Sequence, residues 1–291
     1  MLDIFYERFL QKNRTVRFPD AVPSLLPRFR GRPFIDAERC DAAPGAGCAG
    51  CDVCRRACPT EALGLDEQGL FLDMGYCTFC GICARACPKE ALVFTTDWRL
   101  ASTERAALII RPSVYAPGKS AAVTQSLPAR PERAFALPEL PLHPSKAAGG
   151  AFLRSFRLRQ VTAAGCGACE ADLNVLATIV FDIGRFGMDF VASPRHADGL
   201  VLTGPVPLNM REALIKCHNA MPAPKPLVAV GACAISGGLF KAGSGCASEQ
   251  RAEGVGPHLP ADLYIPGCPP HPYTSLDGLL RFIGRSTPCP S

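Results

Sequence analysis

The chain has 291 residues, a formal net charge of +5 and 16 cysteines. This length allows two ordinary domains. The charge forms no basic stripe with interleaved aromatic residues, which argues against a nucleic-acid partner, and no apolar run approaches the roughly 20 residues that span a bilayer. Disulfide scaffolds are typical of short secreted chains, and residues 1–14 lack the features of a signal peptide. We therefore expect the cysteines to be metal ligands in a reducing cytoplasm.

Residues 2–10 are predicted to form a helix, because their apolar residues recur at helical spacing on one side. The residues of that side are Leu2, Phe5, Tyr6, Phe9 and Leu10. Two interpretations remain open: the helix caps the following domain, or it contacts a membrane or a membrane subunit. Residues 18–32 are rich in Pro and Arg, and they are expected to form an extended arm over a partner or over the same chain.

Residues 48–59 and 77–88 each carry cysteines in the pattern C-x2-C-x2-C-x3-C-P. This is the spacing of bacterial two-cluster ferredoxins, in which the fourth cysteine of each run binds the other [4Fe–4S] cluster. Zinc knuckles use similar C-x2-C pairs, but two complete runs, each followed by proline, favour clusters. The predicted ligands are Cys48, Cys51, Cys54 and Cys87 for the first cluster, and Cys77, Cys80, Cys83 and Cys58 for the second.

The first ligand of the first cluster has an alternative. Cys40 precedes Cys48 by the loop sequence DAAPGAG. The regular spacing favours Cys48, because the tight turn around a cluster needs it. If Cys40 is the ligand instead, the loop is an insertion in the motif.

The two cysteine runs belong to an internal repeat. Residues 57–63 are ACPTEAL and residues 86–92 are ACPKEAL. The repeat predicts pseudo-two-fold symmetry with two nearby clusters. Residues 62–65 and 69–74 are predicted to form a hairpin, and residues 91–94 are expected to pair with the symmetric partner of that strand. Such a module moves electrons and performs no bond chemistry of its own.

Residues 112–150 are rich in Pro, Ala and Ser without periodicity, which predicts a linker between two domains. After residue 155, short apolar strands alternate with amphipathic helices, which indicates a parallel sheet with crossover connections. The predicted strands are 156–161, 189–192, 199–203, 227–230 and 262–265, and the predicted helices are 170–181, 208–221 and 273–283.

Four more cysteines lie just after predicted strands of this second half. Ligands of parallel α/β sheets collect at the loops beyond the carboxyl ends of the strands. Each of these cysteines also lies near a glycine, where the backbone can approach an inorganic core closely. A third [4Fe–4S] site is therefore predicted, with zinc or buried free thiols as alternatives. Its ligands would be Cys166, Cys169, Cys233 and Cys268, whereas Cys217, Cys246 and Cys289 are predicted to be core or surface thiols.

Four motifs carry a resemblance to a known family: CGACE (166–170), FGMDFVASPRHAD (186–198), GACAISGGLF (231–240) and IPGCPP (265–270). Residues 152–284 resemble the small subunit of group 4 membrane-bound [NiFe] hydrogenases, as in formate hydrogenlyase. They are also similar to the complex I subunit that holds the terminal cluster. The C-x2-C spacing of Cys166 and Cys169 is similar to that of the hydrogenases, whereas complex I has adjacent cysteines at this site. The first half, including FRGRP (29–33), resembles the two-cluster ferredoxin subunit of the same complexes, so the chain looks like a fusion.

The resemblance implies an α+β ferredoxin-like two-cluster domain followed by an α/β flavodoxin-like parallel-sheet domain. The expected division is an N-terminal helix and arm (1–34), a ferredoxin domain with two [4Fe–4S] clusters (35–111), a linker (112–150), a hydrogenase small-subunit or complex I-like [4Fe–4S] domain (151–285) and a tail (286–291).

The resemblance also implies a function. Three [4Fe–4S] clusters would carry electrons between redox partners and the catalytic large subunit of a membrane-associated [NiFe] hydrogenase or formate hydrogenlyase-like complex. The implied partners are that large subunit, integral membrane subunits, and a formate dehydrogenase or another electron donor. Without a twin-Arg leader, the chain is expected on the inner face of the cell membrane, attached through partner subunits. The alternatives are a complex I-related oxidoreductase that handles quinone, and a free-standing iron–sulfur carrier or sensor.

Two further side chains have predicted roles. The family suggests that Glu170 relays protons near the large-subunit site, whereas the alternative is an acid favoured by the dipole at a helix N-terminus. His196 either donates to the third cluster or caps a turn, and the turn is preferred. No catalytic residue is expected beyond this proton relay.

Overall fold

A computed structural model describes residues 2–12, 14–21, 23, 25–26, 28–40, 51–114, 137–144, 152, 154–241 and 252–285. These residues form a cysteine-rich unit of short strands and helices, followed by a unit built on one parallel sheet. Cys48, Cys246 and Cys289 lie outside the described residues, as does most of the predicted linker. Among the helices of the described part, none has the length and apolar character needed to cross a bilayer.

The N-terminal helix is present as α1 (Leu2–Gln11). Every side chain from residue 4 to residue 12 is exposed, so α1 does not cap the ferredoxin core. Helices of this length normally depend on packing of an apolar face for their stability. The exposed large apolar side chains of α1 are Ile4, Phe5, Tyr6, Phe9 and Leu10.

The arm that follows α1 lies on the same chain. The N–H of Val16 donates to the carbonyl of Val180 at 2.8 Å, and the Arg185 guanidinium donates to the carbonyl of Phe18 at 2.7 Å. Phe18 is buried and packs edge-on against Trp98, with ring centroids 5.5 Å apart. Of the two expected positions for the arm, the structure therefore shows the one over its own chain.

Short elements frame the cysteine-rich unit. They are β1 (Pro33–Ile35), α2 (Val53–Arg56), β2 (Leu63–Asp66), β3 (Gly69–Asp73), α3 (Ile82–Ala86), β4 (Leu92–Phe94) and β5 (Ile109–Ile110). β2 and β3 form the predicted antiparallel hairpin, and β5 extends it. β4 pairs with β1, which comes from the arm before the cysteine runs. The inward side chains of both pairs, such as Ile35 and Leu72, are buried in one apolar core.

The second unit contains a five-stranded parallel sheet. Its strands are β6 (Phe156–Thr162), β7 (Met188–Phe190), β8 (Gly199–Thr203), β10 (Leu227–Val230) and β12 (Leu263–Ile265). Its helices are α4 (Ala168–Val175), α5 (Leu208–Asn219), α6 (Ala232–Ser236) and α7 (Pro272–Phe282), and a small antiparallel pair joins β9 (Val206–Pro207) to β11 (Ala252–Glu253). The spatial order β12-β10-β8-β6-β7 is the flavodoxin-like order 2-1-3-4-5. The predicted α/β class is therefore confirmed.

The predicted helix over 170–181 ends early, at Val175. Residues 178–180 are Thr-Ile-Val, and such β-branched residues lose side-chain freedom in a helix. The chain turns there, with Asp182 in the left-handed region (φ 46°), and this turn lets Phe181 reach the core. Leu173, Leu176 and Phe181 are all buried, but Leu173 and Leu176 lie before the turn and Phe181 lies after it.

Hydrogen bonds join the two units. The backbones of Ser102 and Tyr264 exchange two bonds of 3.0 and 2.8 Å, which adds a short antiparallel neighbour to β12. The Ser236 hydroxyl, at the end of α6, donates to the carbonyl of Gly75 at 2.7 Å. Because Gly75 lies just before Cys77, this bond holds the second cysteine run against the loops at the sheet's carboxyl edge.

Candidate metal centres

The second predicted site is assembled around α3. Cys77 and Cys80 precede the helix, Cys83 lies in its first turn, and Cys58 arrives from the end of the first cysteine run. These four thiols line a common cavity of about 280 Å³. Gly81, at the start of α3, has a φ of 73°, a conformation that glycine adopts without the steric cost of a side chain. The tight turn predicted from the spacing is therefore present.

The first site also brings four thiols together. Cys40, Cys51, Cys54 and Cys87 line a second cavity of about 340 Å³. Cys48 lies outside the described residues. Three of the four thiols predicted for this site are thus placed together, and the alternative thiol of Cys40 is placed with them.

Backbone N–H groups point at the sulfur atoms of both sites. Ala62 donates to Cys58 Sγ and Ala91 donates to Cys87 Sγ, each at 3.3 Å. Cys77 Sγ accepts a third such bond, also at 3.3 Å, from the N–H two residues further on. Hydrogen bonds to sulfur stabilise thiolates and tune the potential of a bound cluster. The donor set therefore fits thiolate ligation.

The third site lies at the carboxyl edge of the parallel sheet. Cys166 and Cys169 follow β6, Cys233 follows β10 and Cys268 follows β12. Burial, followed by the charge of Glu170, raises the pKa of Cys169, and the nearby thiols of Cys233, Cys268 and Cys166 add smaller contributions. The structure thus brings together the four residues that were predicted from their positions after separate strands.

Two glycines shape the third site. A Cβ at Gly231 would lie 2.6 Å from Cys169 Sγ, and φ at Gly231 is 89°. A Cβ at Gly238 would lie 2.9 Å from Cys233 Sγ. Side chains at these positions would occupy the space of the sulfur atoms, so the two glycines form part of the cradle. Their motif, GACAISGG, carried the signal in the sequence.

The thiols are costly to ionise without a metal. Burial, followed by repulsion between neighbouring thiolates, raises the pKa of Cys54 to about 11 and that of Cys233 to about 11. Burial is likewise the largest cause that raises the pKa of Cys83 to about 12. An iron–sulfur core requires thiolates and supplies the positive charge that stabilises them. At each site at least one thiol is therefore costly to ionise unless a positively charged core is bound, which fits ligation of a cluster.

The three sites follow one another through the molecule. Burial is the largest cause that raises the pKa of Cys83 at the second site, and Cys54, at the first site, adds a smaller contribution. Burial is also the largest cause that raises the pKa of Cys268 at the third site, and Cys80, at the second site, adds a smaller contribution. The second site therefore neighbours both the first and the third. The Ser236–Gly75 bond, which joins the second cysteine run to the sheet unit, could not be predicted from the sequence. A contact between two domains produces no periodic pattern along the chain.

Glu170 lies in the first turn of α4, beside the third site. Its Oε1 accepts a hydrogen bond of 2.5 Å from the hydroxyl of Thr203, the last residue of β8. His196 is exposed and ends a short 3₁₀ turn, Pro194–His196, in which its N–H donates to the carbonyl of Ser193. Cys217 lies half-buried on α5, away from the three groups of thiols.

Together, the ferredoxin-like unit, the flavodoxin-like sheet and their grouped thiols have the features of iron–sulfur proteins that transfer electrons. Residues 47–91 match the family described as "4Fe-4S dicluster domain". Residues 166–282 match the family described as "NADH ubiquinone oxidoreductase, 20 Kd subunit". The resemblance inferred from the sequence is confirmed for both halves of the chain.

Named relatives match the second half. NAD(P)H-quinone oxidoreductase subunit K of Synechococcus elongatus is 40% identical over 117 residues, which are 40% of this chain and 48% of that protein. The subunit K of Prochlorococcus marinus is also 40% identical over 117 residues, 40% of this chain and 47% of that protein. The chain thus spans about half the length of the curated relatives it matches.

Two solved structures show partial similarity. A chain of the membrane-bound sulfane sulfur reductase, an archaeal respiratory membrane complex, matches with 28% identity and a TM-score of 0.39, over 47% of this chain and 74% of that chain. A chain of a NAD⁺-reducing [NiFe]-hydrogenase in the H₂-reduced state matches with 24% identity and a TM-score of 0.36, over 47% of this chain and 96% of that chain.

Proposed function

We propose that this chain is an electron-transfer subunit with three [4Fe–4S] clusters. It would link redox partners to the catalytic large subunit of a membrane-associated complex of the [NiFe] hydrogenase or formate hydrogenlyase type. The observation that carries the proposal is the placement of three groups of thiols in one chain. Two groups line cavities of the ferredoxin-like unit, and the third lies at the carboxyl edge of the sheet, which the Ser236–Gly75 bond holds beside the second cysteine run. A single chain with three clusters in this order would provide a continuous route for electrons.

The chain's own residues bind and tune the clusters. Bound clusters supply reversible one-electron transfer. Cys77, Cys80, Cys83 and Cys58 would hold the second cluster, and Cys166, Cys169, Cys233 and Cys268 the third. Cys51, Cys54 and Cys87 would hold the first, together with a thiol from the segment that contains Cys40 and Cys48. Backbone N–H groups at Cys58, Cys77 and Cys87 would adjust the potentials.

The exposure of the third site favours the role of a subunit in a complex over that of a free-standing carrier. Cys166 and Cys268 are exposed, and so are the large apolar side chains of Leu239 and Phe240 beside α6. A cluster at this edge would face water unless a partner covered it, and exposed apolar side chains are typical of interaction surfaces. The large subunit would therefore dock here, and Glu170, next to this edge, would relay protons toward it.

A second candidate is the same role in a complex I-related oxidoreductase whose large subunit handles quinone. The 40% identity to NAD(P)H-quinone oxidoreductase subunit K favours it. The C-x2-C spacing of Cys166 and Cys169 supports the hydrogenase type instead. In both cases the chain would be attached to the inner face of the membrane through integral subunits, with formate dehydrogenase as one candidate electron donor.

The test is anaerobic purification of the tagged full chain from its natural host. We expect a large subunit to copurify, and hydrogen to reduce clusters that are visible by electron paramagnetic resonance. Two C-x2-C pairs in the copurified large subunit would be expected for a hydrogenase. Reduction by quinol but not by hydrogen would favour the second candidate. Isolation of the chain alone, with all its clusters, would contradict both and indicate a free-standing carrier.

A further inference from the structure

The first site has two candidate thiols for one ligand position, and the pseudo-symmetry of the ferredoxin-like unit distinguishes between them. We propose that Cys40, rather than Cys48, is the fourth thiolate of the first cluster. This inference rests on the proposed function for the nature of the bound group. The choice of ligand comes from the geometry of the described residues.

The strands that lead into the two cysteine runs are structurally equivalent. In the hairpin, Leu63 pairs with Leu72. In the other strand pair, Leu92 pairs with Ile35. Leu63 and Leu92 occupy the same position of the repeated sequence ACP-x-E-A-L. Their partners, Leu72 and Ile35, are therefore equivalent as well, and β1 is the symmetric counterpart of β3.

The turns after these strands share three hydrogen bonds and differ at the cysteine, where Cys40 N–H donates to the carbonyl of Asp36 and Cys77 N–H to that of Met74. Asp73 N–H donates to the carbonyl of Ala62 at 2.8 Å, and Asp36 N–H donates to the carbonyl of Ala91, also at 2.8 Å. The side chain of each aspartate then accepts a bond from the N–H two residues further on, at 2.8 and 3.0 Å. The carbonyl of each aspartate accepts from the N–H three residues further on, at 3.1 and 3.3 Å.

Each of these matched turns delivers a cysteine at the same point. Cys77 is the fourth residue after Asp73, and Cys40 is the fourth residue after Asp36. Cys77 lines the second cavity as the first thiol of its run. Cys40 lines the first cavity with the other three thiols of that site. Cys40 is thus the structural equivalent of Cys77.

The spacing in the sequence points to a different residue because it counts along the chain. Counted back from the shared ACP-x-E-A-L segment, Cys48 aligns with Cys77. A cubane needs a thiolate at the right place in space, and lengthening a connecting loop costs little entropy. The loop DAAPGAG after Cys40 is then an insertion between the first and second ligands of the site.

The test compares Cys40→Ser with Cys48→Ser in the full chain, with Cys77→Ser as the matched control at the second site. We expect Cys40→Ser to lower the iron content from about twelve atoms per chain to about eight, or to about eleven if a three-iron cluster remains. Cys77→Ser should cause a loss of the same size, and Cys48→Ser should cause none. Loss of the first cluster in Cys48→Ser, or its full retention in Cys40→Ser, overturns the assignment.

A second measurement uses the unaltered chain, so its result does not depend on whether a substituted chain folds. The cluster-loaded chain is alkylated with iodoacetamide without denaturant, and its peptides are then examined by mass spectrometry. Cys40 should be protected to the same degree as Cys77, whereas Cys48 should be modified. The reverse pattern overturns the assignment. If the unaltered chain lacks the second and third clusters, the proposed function is overturned. If it lacks the first cluster, both the proposed function and the assignment of Cys40 are overturned.

Discussion

The two units hold their thiols in opposite ways. At the second site of the ferredoxin-like unit, one short stretch supplies Cys77, Cys80 and Cys83, and only Cys58 comes from elsewhere. In the α/β unit, the ends of three separate strands must meet before the third site exists. The first arrangement is mainly local and the second is tertiary. The third site should therefore be the one that depends on the correct fold of a whole domain.

The largest effect is expected from Cys169→Ser. Removing one thiol that links β6 to the shared edge should abolish the third cluster, which is about four of about twelve iron atoms per chain. Electron transfer to the proposed large subunit should stop, while the first two clusters remain reducible. Iron analysis and electron paramagnetic resonance measure both effects. Cys217→Ser, which replaces a half-buried thiol outside the three groups, is the matched control and should change neither.

A smaller, graded loss is expected from Gly231→Ala. The new methyl group would overlap Cys169 Sγ, and alanine would be held at a φ of 89°. Such backbone strain costs about 1–3 kcal/mol, so the third cluster should be lost at lower temperature than in the unaltered chain. The first two clusters should be unaffected. Gly256→Ala is the control, because no atom lies within 4 Å of its added methyl group. Equal behaviour of the two variants would show that the cradle does not constrain the site.

Two ion pairs of the ferredoxin-like unit allow a test of its local scaffold. Arg105 binds Asp73, and Arg111 binds Asp66, each through two bonds of 2.9 and 2.6 Å. Asp73 is buried, and it starts the turn that leads to Cys77. Arg105→Met should cost about 3 kcal/mol by leaving a buried charge without its partner, and Arg111→Met should cost much less. Chemical unfolding followed by the absorbance of the clusters measures both. A similar loss in the two variants would argue against a scaffold role for the buried pair.

The exposed pair gives a small dependence on pH. The hydrogen bond from Arg111 is the largest cause that lowers the pKa of Asp66. This pair therefore contributes stability above the carboxyl's unfolded-state pKa, and the contribution is lost as the pH falls through the folded-state pKa. Asp66→Asn should flatten the acid side of the stability curve slightly. A curve identical to that of the unaltered chain would show that the pair contributes nothing measurable, as is common for surface pairs.

The smallest effect on the clusters is expected from deletion of residues 1–12. The described side chains of α1 are exposed. After α1, the Thr15 hydroxyl donates to the carbonyl of Ile179. All three proposed clusters and electron transfer to soluble dyes should persist. Attachment of the proposed complex to membranes should loosen if α1 contacts the membrane, because a short apolar helix adds only a reversible contribution to binding. Fractionation of membranes and iron analysis test both statements, and loss of clusters would show that α1 supports the ferredoxin core.

The strands of the sheet could be predicted to within one or two residues, because each is a short apolar or alternating segment. Gly199–Thr203 and Leu227–Val230 have the predicted bounds. The end of α4 could not be predicted, since the apolar periodicity continues past Val175 although the chain turns. Helix propensity alone does not show that burying Phe181 after a turn is more favourable than continuing the helix past Val175.

The grouping of the thiols could be predicted because each unit places its cysteines in a way that leaves a pattern in the sequence. The C-x2-C pattern and positions after strands are visible in one sequence. The equivalence of Cys40 with Cys77 also leaves a signal, since residues 34–40 (FIDAERC) and 71–77 (FLDMGYC) share the pattern F-x-D-x3-C, but the spacing within the cysteine runs outweighed it. The pairing of β1 with β4, across more than fifty residues, had to be observed. The contact between Ser236 and Gly75 also has no pattern along the chain. Tertiary pairings of this kind have to be observed.

The decisive measurement is the iron and acid-labile sulfide content of the anaerobically isolated full chain. Three cubanes predict about twelve of each per chain, with three distinguishable reduced signals. About eight of each after reconstitution would contradict the three-cluster chain, and an unchanged content in Cys169→Ser would then locate the empty site at the strand ends. Stoichiometric zinc at any of the three sites would contradict the electron route through that site.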